Sequence, residues 1–436
     1  MERKANLYAM DFIDSDHLEA MQLERMKKIV RHAYNNVEFY RNRMKKYNLT
    51  PDSVKTLDDV EKLPFMVKQD LRDTYHFGLL AVPQSEVVRL HASSGTTGKP
   101  IVVAYTQDDL KVWTEVVHRA LHNCGLSNAD IVQVSYGYGL FTGGMGAHYG
   151  AEDLGATVVP ASGGNTRRQI MLMRDFGVNA ICCTPSYFIH LIDEAQKAGI
   201  DMRELPVRAG IFGAEPWTAG MRKYMEENAG IEAFDIYGLS EIIGPGVAIE
   251  CPCHEGLHLY EDHFYPEIID PDTGKVLPDG EFGELVLTTL SKYAMPMIRY
   301  RTRDLTRIIP GRCACGRTIR RIDRISSRSD DMFIIRGVNV FPSQIEAALL
   351  SVAGTTPNYM ITLTNEKGMD NVAVEVELSQ EKFNELGNNQ TAFHRQVAAM
   401  VESVTGIRIA VNLVAPGTLP RSEGKAKRVI DKRVRD

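Results

Sequence analysis

His91-Ala-Ser-Ser-Gly-Thr-Thr-Gly-Lys-Pro100 is the stretch on which the reading of this chain turns. It concentrates small hydroxyl side chains, two glycines and a lysine between two β-type runs, Val87–Leu90 and Ile101–Tyr105. A polar, glycine-bearing loop between strands offers backbone N–H groups and hydroxyls to phosphate oxygens, and Lys99 adds a positive charge. The loop is not a Walker A motif: only two residues separate Gly95 from Gly98, and Pro100 rather than a helix-entering Ser or Thr follows the lysine. Taken alone it competes with an ordinary surface hairpin, so the surrounding chain decides.

Downstream, strand-like runs alternate with helix-like ones. Ile131–Val134, Thr157–Pro160, Ala180–Cys183, Ala209–Phe212 and Glu232–Tyr237 read as strands, and Thr106–Leu121 and Arg167–Phe176 read as helices. That alternation predicts parallel sheet flanked by helices. Residues 1–60 read as helical, and a turn at Pro64 leads into a short helix. From 257 to 309, short alternating runs broken by Asp272-Thr-Gly and Pro278-Asp-Gly predict antiparallel strands in a small barrel-like region. A compact α+β unit follows, ending in a strand at Ile407–Val414. The expected class is therefore α/β, with a large N-terminal domain over 1–330 and a small, mobile C-terminal domain over 331–436.

The composition of the 436 residues is that of an ordinary globular chain, 44% hydrophobic and 24% charged. A net charge of −6, with no long basic run before the C-terminus, argues against nucleic-acid binding as the main role. No apolar run reaches membrane-spanning length, and the first residues lack the apolar core of a signal peptide, so the expected location is cytoplasmic.

Several constellations lie where open α/β sheets bind ligands, beyond the carboxyl ends of strands. Gly213-Ala-Glu215 follows one apolar strand, and Asp235-Ile-Tyr-Gly-Leu-Ser-Glu241 follows another. Glu241 suits a Mg²⁺ carried on phosphate oxygens, and Tyr237 offers a flat face to a base. Asp304, in Tyr300-Arg-Thr-Arg-Asp304, suits ribose hydroxyls. Near the end, Gly424 gives Lys425 a close-approaching backbone from which it could reach an anionic transition state.

The order of these motifs, completed by Arg328-Ser-Asp-Asp331, resembles the acyl-adenylate-forming superfamily of acyl-CoA synthetases, luciferases and peptide-synthetase adenylation domains. Within it, Tyr136-Gly-Tyr-Gly-Leu-Phe-Thr-Gly-Gly-Met-Gly-Ala-His-Tyr-Gly150, Arg299–Leu305 and Arg336-Gly-Val-Asn-Val-Phe-Pro342 are similar to the phenylacetate–coenzyme A ligases. The resemblance implies activation of an arylacetic acid, phenylacetate first, by ATP and Mg²⁺ to an acyl-adenylate, followed by transfer to coenzyme A. It implies that Ser93, Ser94, Gly95, Thr96, Thr97, Gly98 and Lys99 hold the leaving phosphates. Gly213, Ala214, Glu215, Asp235, Ile236 and Tyr237 would frame the adenine, with Gly238 and Ser240 beside them, Asp304 on the ribose and Arg328 on ribose or phosphate. Glu241 and Lys425 become the catalytic residues, Asp330 the hinge, and Arg336 and Gly337 the lining of a coenzyme A tunnel. Tyr136, Phe141, Gly143, Ala147, Ala214, Ile236 and Pro245 would line the acyl pocket. The family's Gly-Arg-x-Asp-Asp hinge reads Ser327-Arg-Ser-Asp-Asp331 here. A homodimer is expected by the same resemblance. The rival readings are an adenylase acting on another aryl acid or delivering to a non-CoA acceptor, and a non-catalytic nucleotide- or acyl-binding protein.

The seven cysteines, an odd number, argue against a disulfide framework. Glu250-Cys-Pro-Cys-His-Glu-Gly-Leu-His258 and Arg312-Cys-Ala-Cys-Gly-Arg317 place four of them in two C-x-C pairs at turn-like positions. Cys251, His258, Cys313 and Cys315 would make a structural Cys₃His zinc site, with Cys253 or His254 as substitutes.

Overall fold

The computed structural model describes residues 7–93, 100–325, 327–329, 331–335, 338–366 and 369–433. Ser94, Gly95, Thr96, Thr97, Gly98 and Lys99 of the glycine-bearing loop, the hinge Asp330, and Arg336 and Gly337 lie outside the described residues.

Every strand expected in the alternating region forms, within a residue or two of its expected ends. Thr157–Val159, Ile131–Val134, Ala180–Cys183, Ala209–Gly213 and Glu232–Leu239 lie side by side, all parallel. The sheet continues antiparallel through Ile243–Glu250, Leu257–Leu259, Arg321–Ile322 and Ile308–Ile309, nine strands in all. The central strands are apolar along their whole length because helices cover both faces: Ala180–Cys183 and Ala209–Gly213 are buried at every position. Thr184 and Thr218 begin two of the covering helices, Pro185–Lys197 and Ala219–Ala229, each accepting a backbone N–H of the first turn on its side chain.

Two placements differ from expectation. The run before the glycine-bearing loop is a strand at Arg89–Ser93 rather than Val87–Leu90, and it pairs only with Ile101–Tyr105, as a separate two-stranded hairpin. Arg89–Ser93 is therefore no strand of the large sheet. The strand expected at Glu232–Tyr237 runs on to Leu239, so the Asp235–Leu239 motif, expected to follow a strand, is itself extended chain within the sheet. The reason is pairing on both sides: Asp235 and Ile236 lie beside Phe212 and Gly213, and Tyr237 lies beside Ala248.

The barrel-like region takes the form of a four-stranded antiparallel sheet, Phe264–Ile269, Gly283–Thr289, Tyr300–Thr306 and Ser327–Arg328. The C-terminal part has its own apolar core, from Phe333 to Val411, under a sheet in which Thr355–Glu366 and Met369–Leu378 form a long hairpin. Ala410–Val414 is not its last strand: Val429–Asp431 adds in parallel on the other edge, beside Ile361–Leu363.

Candidate active site

The carboxyl ends of Ala209–Gly213 and Glu232–Leu239 meet closely. A Cβ on Gly213 would lie 2.3 Å from the carbonyl oxygen of Ile236, so only glycine allows the two strands this approach. Ala214 then turns with φ +73°, and Arg303, next to Asp304, has φ +68°. Non-glycine residues in the left-handed region concentrate at functional sites, where the surrounding structure holds the strain.

Across this gap the Tyr237 hydroxyl donates to Asp304 at 2.6 Å. Arg328, paired with Asp304 across the antiparallel ladder, brings its guanidinium to 3.7 Å from the same carboxylate. Burial first, and then the Asp304 charge, push the Tyr237 hydroxyl well above its ordinary pKa, so it stays a donor. Asp235 is raised above the usual carboxylate range by burial, while Arg324, 3.4 Å away, opposes the shift.

Glu241 is buried and its carboxylate lies 3.6 Å from the Lys68 ammonium. Its backbone carbonyl accepts from Lys292, a buried lysine whose pKa burial brings down to about 8. One buried carboxylate already facing a cation fits the way Mg²⁺ is held, by one or two carboxylates plus substrate phosphates. Lys425 reaches toward the same place from the C-terminal part, its Nζ 5.6 Å from the centre of the Phe141 ring. Burial lowers its pKa, with Glu215 and Glu241 opposing and Arg328 and Lys68 adding to the shift. Charges from several segments therefore converge on one cleft: Lys68, Lys425 and Arg328 against Glu215, Glu241 and Asp304. The Ser93 hydroxyl, at the end of its strand, is buried and has no hydrogen-bond partner among the described residues.

The expected acyl-pocket residues also come together. Tyr136 and Phe141 face each other with ring centres 6.4 Å apart, and a Cβ on Gly143 would press into the Phe141 ring at 2.5 Å. Ala147, Ile236 and Tyr136 share one buried apolar cluster, against which Phe141 and Ala214 pack. Pro245 accepts from the Trp113 indole through its carbonyl, and Ser240 lies 3.3 Å from the Thr142 hydroxyl. Gly238, like Gly213, has backbone where a side chain would sit, the Ile243 carbonyl 2.6 Å from its would-be Cβ. A cavity of about 700 Å³ opens between the large sheet and the C-terminal part, bordered by Glu215, Trp217, Arg324, Arg328, Tyr359 and Arg428.

Sequence reasoning missed Lys68, Lys292 and Trp113. Lys68 opens a six-residue helix, where a charged residue reads as solvated, and the Trp113 indole lies on a helix whose apolar spacing reads as core.

The cysteine pairs meet as expected. Ligand atoms of Cys251, His258, Cys313 and Cys315 all lie within 4.8 Å of one another. Cys251 and Cys313 sulfurs are 3.7 Å apart, too far for a disulfide, and Cys315 Sγ is 3.3 Å from His258 Nε2. Burial pushes the His258 imidazole down to about 4, leaving it neutral as a metal ligand must be. Three thiols and a neutral imidazole, largely out of water, are the donor set of a closed structural zinc site. Neither proposed substitute belongs to the cluster: His254 instead contacts Arg222, Glu232 and Glu250.

Comparison with known proteins gives the family. The family pattern of the AMP-binding enzymes matches residues 20–291, and that of the AMP-binding enzyme C-terminal domain matches 337–433. A phenylacetate-coenzyme A ligase of Pseudomonas putida is 53% identical over 99% of this chain and 98% of its own, and one of Escherichia coli (strain K12) is 51% identical over 96% and 95%. Among solved structures, a 2-hydroxyisobutyryl-CoA ligase in its postadenylation state, in complex with R3-HIB-AMP, matches with a TM-score of 0.92 at 29% identity, covering 97% of this chain and 91% of that one. The same ligase in its thioesterification state matches with a TM-score of 0.72 at 30% identity, over the same shares of the two chains. The chain belongs to the AMP-binding enzymes, in the family of the phenylacetate–coenzyme A ligases.

Proposed function

We propose that this chain is an AMP-forming acid–thiol ligase that converts phenylacetate, ATP and coenzyme A into phenylacetyl-CoA, AMP and pyrophosphate. What carries the reading is the convergence of Lys425, Glu241 and Asp304 on a cleft floored by Phe141, in a chain 53% identical to a phenylacetate-coenzyme A ligase.

In the first step a carboxylate oxygen of the acid attacks the α-phosphorus of ATP, and the bond to the bridging oxygen of pyrophosphate breaks. Lys425 spreads positive charge over the carboxylate and α-phosphate oxygens as negative charge builds there. Asp304, ordered by Tyr237 and Arg328, accepts from the ribose hydroxyls, and the turn at Gly213–Glu215 and the extended backbone at Asp235–Tyr237 border the base. Ser93 begins the loop for the β- and γ-phosphates, with Lys68 facing them. Glu241 would hold Mg²⁺, which neutralises phosphate charge when bound. Phe141 and Tyr136 enclose the aryl ring, with room left by Ala147 and Ala214. In the second step the thiol sulfur of coenzyme A attacks the acyl carbon, its proton is lost, and the carbon–oxygen bond to AMP breaks. The division near residue 331 separates the part that binds nucleotide from the part that carries Lys425. Cytoplasmic location and a homodimer belong to the same proposal.

The test is ATP–pyrophosphate exchange against a panel of arylacetic, benzoic and short fatty acids, repeated as AMP formation with coenzyme A. Exchange strongest with phenylacetate, and thioester only on adding coenzyme A, is expected. Exchange without any coenzyme A-dependent thioester would move the reading to an adenylase with another acceptor, and no exchange at all would leave a binding protein.

Cys251, His258, Cys313 and Cys315 would hold a structural zinc that clamps the Cys251–His258 turn to the Cys313–Cys315 turn, and no catalytic step passes through it. The protein is expected to carry about one zinc per chain by elemental analysis. Cys313→Ser with Cys315→Ser is expected to remove that zinc and to lower the thermal midpoint by roughly 5 °C or more. A metal-free wild type as stable as the metal-loaded protein would rule the site out.

A further inference from the structure

Lys425 sits on a loop that is gripped from the large sheet's side. The Gly424 carbonyl, in the peptide unit before Lys425, accepts from Thr184 Oγ1 at 3.0 Å and from Ser186 Oγ at 3.1 Å. The Ala426 N–H, in the peptide unit after Lys425, donates to Glu215 Oε2 at 2.8 Å. The other oxygen of Glu215 accepts from the Ser186 N–H at 2.8 Å. Both peptide planes flanking the Lys425 Cα are thus pinned, and the pinning groups are tied to each other. The loop's own closure adds one more bond, Ser422 Oγ to the Lys425 carbonyl at 2.9 Å.

The same helix, Pro185–Lys197, holds the segment that leads into the loop. Asp193 accepts from Arg421 Nε at 3.1 Å and from Asn358 Nδ2 at 3.3 Å, and Arg421 also forms two bonds to Glu377. Gly417 and Leu419 donate their N–H groups to Glu377 as well. The helix therefore serves as a seat, with the Arg421 pair at its side and the Lys425 loop at its N-terminus. Both hydroxyls are directed at the Gly424 carbonyl, and Ser186 is joined to Glu215 through its N–H. An ordinary helix cap needs only one side-chain oxygen turned back on its own first turn. Here two hydroxyls turn toward a carbonyl some 240 residues away in sequence.

We propose that Thr184, Ser186 and Glu215 are positioning residues for adenylation alone: they fix the backbone on both sides of Lys425 for attack on ATP and take no part in thioester formation. The proposal rests on the reading that Lys425 acts in the first step. Its physical basis is that a charge held on a long side chain stabilises a transition state only if its backbone is held. A displacement of about 1 Å can cost on the order of 100-fold in rate.

The experiment measures two half-reactions separately on the full-length protein. One is ATP–pyrophosphate exchange with phenylacetate; the other is thioester formation from supplied phenylacetyl-adenylate and coenzyme A. Ser186→Ala, which leaves the Thr184 cap intact, and the double variant Thr184→Val with Ser186→Ala are compared with wild type. Exchange kcat is expected to fall about 10-fold in the single and about 100-fold in the double variant, with KM for ATP little changed. Thioester formation is expected to stay within about twofold, and Thr184→Ser, which keeps the hydroxyl, to retain exchange. Equal loss in both half-reactions would mark the residues as structural and overturn the proposal, as would full exchange in the double variant. Lys425→Ala is run alongside. If it keeps exchange, the reading of Lys425 itself fails; if it loses exchange while the double variant does not, only the seat fails.

Discussion

Lys425→Ala is expected to lower ATP–pyrophosphate exchange by about 100- to 1000-fold, the loss typical when one preorganised charge is taken from a water-poor transition-state site. Thioester formation from supplied phenylacetyl-adenylate is expected to survive, because that step attacks the acyl carbon and needs no attack on the α-phosphorus. The pH dependence follows from burial. Burial, the largest influence, lowers the Lys425 pKa below that of an exposed lysine. The ammonium is the form that stabilises charge, so exchange is present on the acid side and is lost as pH rises through the lowered pKa. Lys425→Arg keeps its charge at alkaline pH, and the alkaline limb of its profile should move upward even if kcat falls. An unmoved limb in that variant would assign the limb to another group.

Arg119→Leu is the substitution expected to cost most stability. Arg119 is fully buried on the helix Gln107–Asn123, and donates to Asp11 at 2.7 Å and to Asp262 at 2.8 Å while lying over the Tyr260 ring. Removing it takes the shared, fully buried cation from two buried carboxylates, leaving Arg317 beside Asp11 and His263 beside Asp262, a loss of about 3–5 kcal/mol. That is a large part of a typical 5–15 kcal/mol stability, and urea denaturation would read it as a lower midpoint. The exposed pair Arg31–Asp52, at 2.8 Å, offers the contrast, since its loss should change stability by less than about 1 kcal/mol. Asp262 adds a pH signature. Burial alone would raise its pKa, but His263 and Arg119 outweigh burial and hold it at about 2. A carboxyl lowered on folding contributes stability that is fully present above its unfolded value of about 3.9 and is lost as pH falls toward 2. The wild-type midpoint should therefore drop between about pH 4 and pH 2 more steeply than that of Asp262→Asn. Parallel curves would show that the pair carries no such linkage.

Much of this was legible in the chain because the signals are local. Buried parallel strands such as Ala180–Cys183 announce themselves as short apolar runs, and Gly213 is demanded by a contact with the neighbouring strand. Three cysteines of the C-x-C pairs and His258, just after the first pair, meet in the folded chain, although His258 and Cys315 lie 57 positions apart. What stayed hidden depends on partners far away in sequence. Arg119 reads as the solvated side of an amphipathic helix until Asp11 and Asp262 close on it. Thr184 and Ser186 read as a helix start, because nothing near them reveals the Gly424 carbonyl. Val429–Asp431, three residues between basic neighbours, lacks the length of a strand signal and exists only because Thr355–Glu366 offers it an edge.

That short strand ties Lys425 to one body. Ile361 pairs with Val429 and Leu363 with Asp431, a few residues beyond the lysine, so Lys425 must travel wherever the C-terminal sheet goes. In the proposed cycle, the motion that brings coenzyme A to the adenylate also withdraws the ammonium from the α-phosphate. Pyrophosphate returning at that moment meets an adenylate it can no longer convert back to ATP at a useful rate. Chain connectivity thus works as a ratchet, giving the ligation its forward sense before pyrophosphate has been removed from solution.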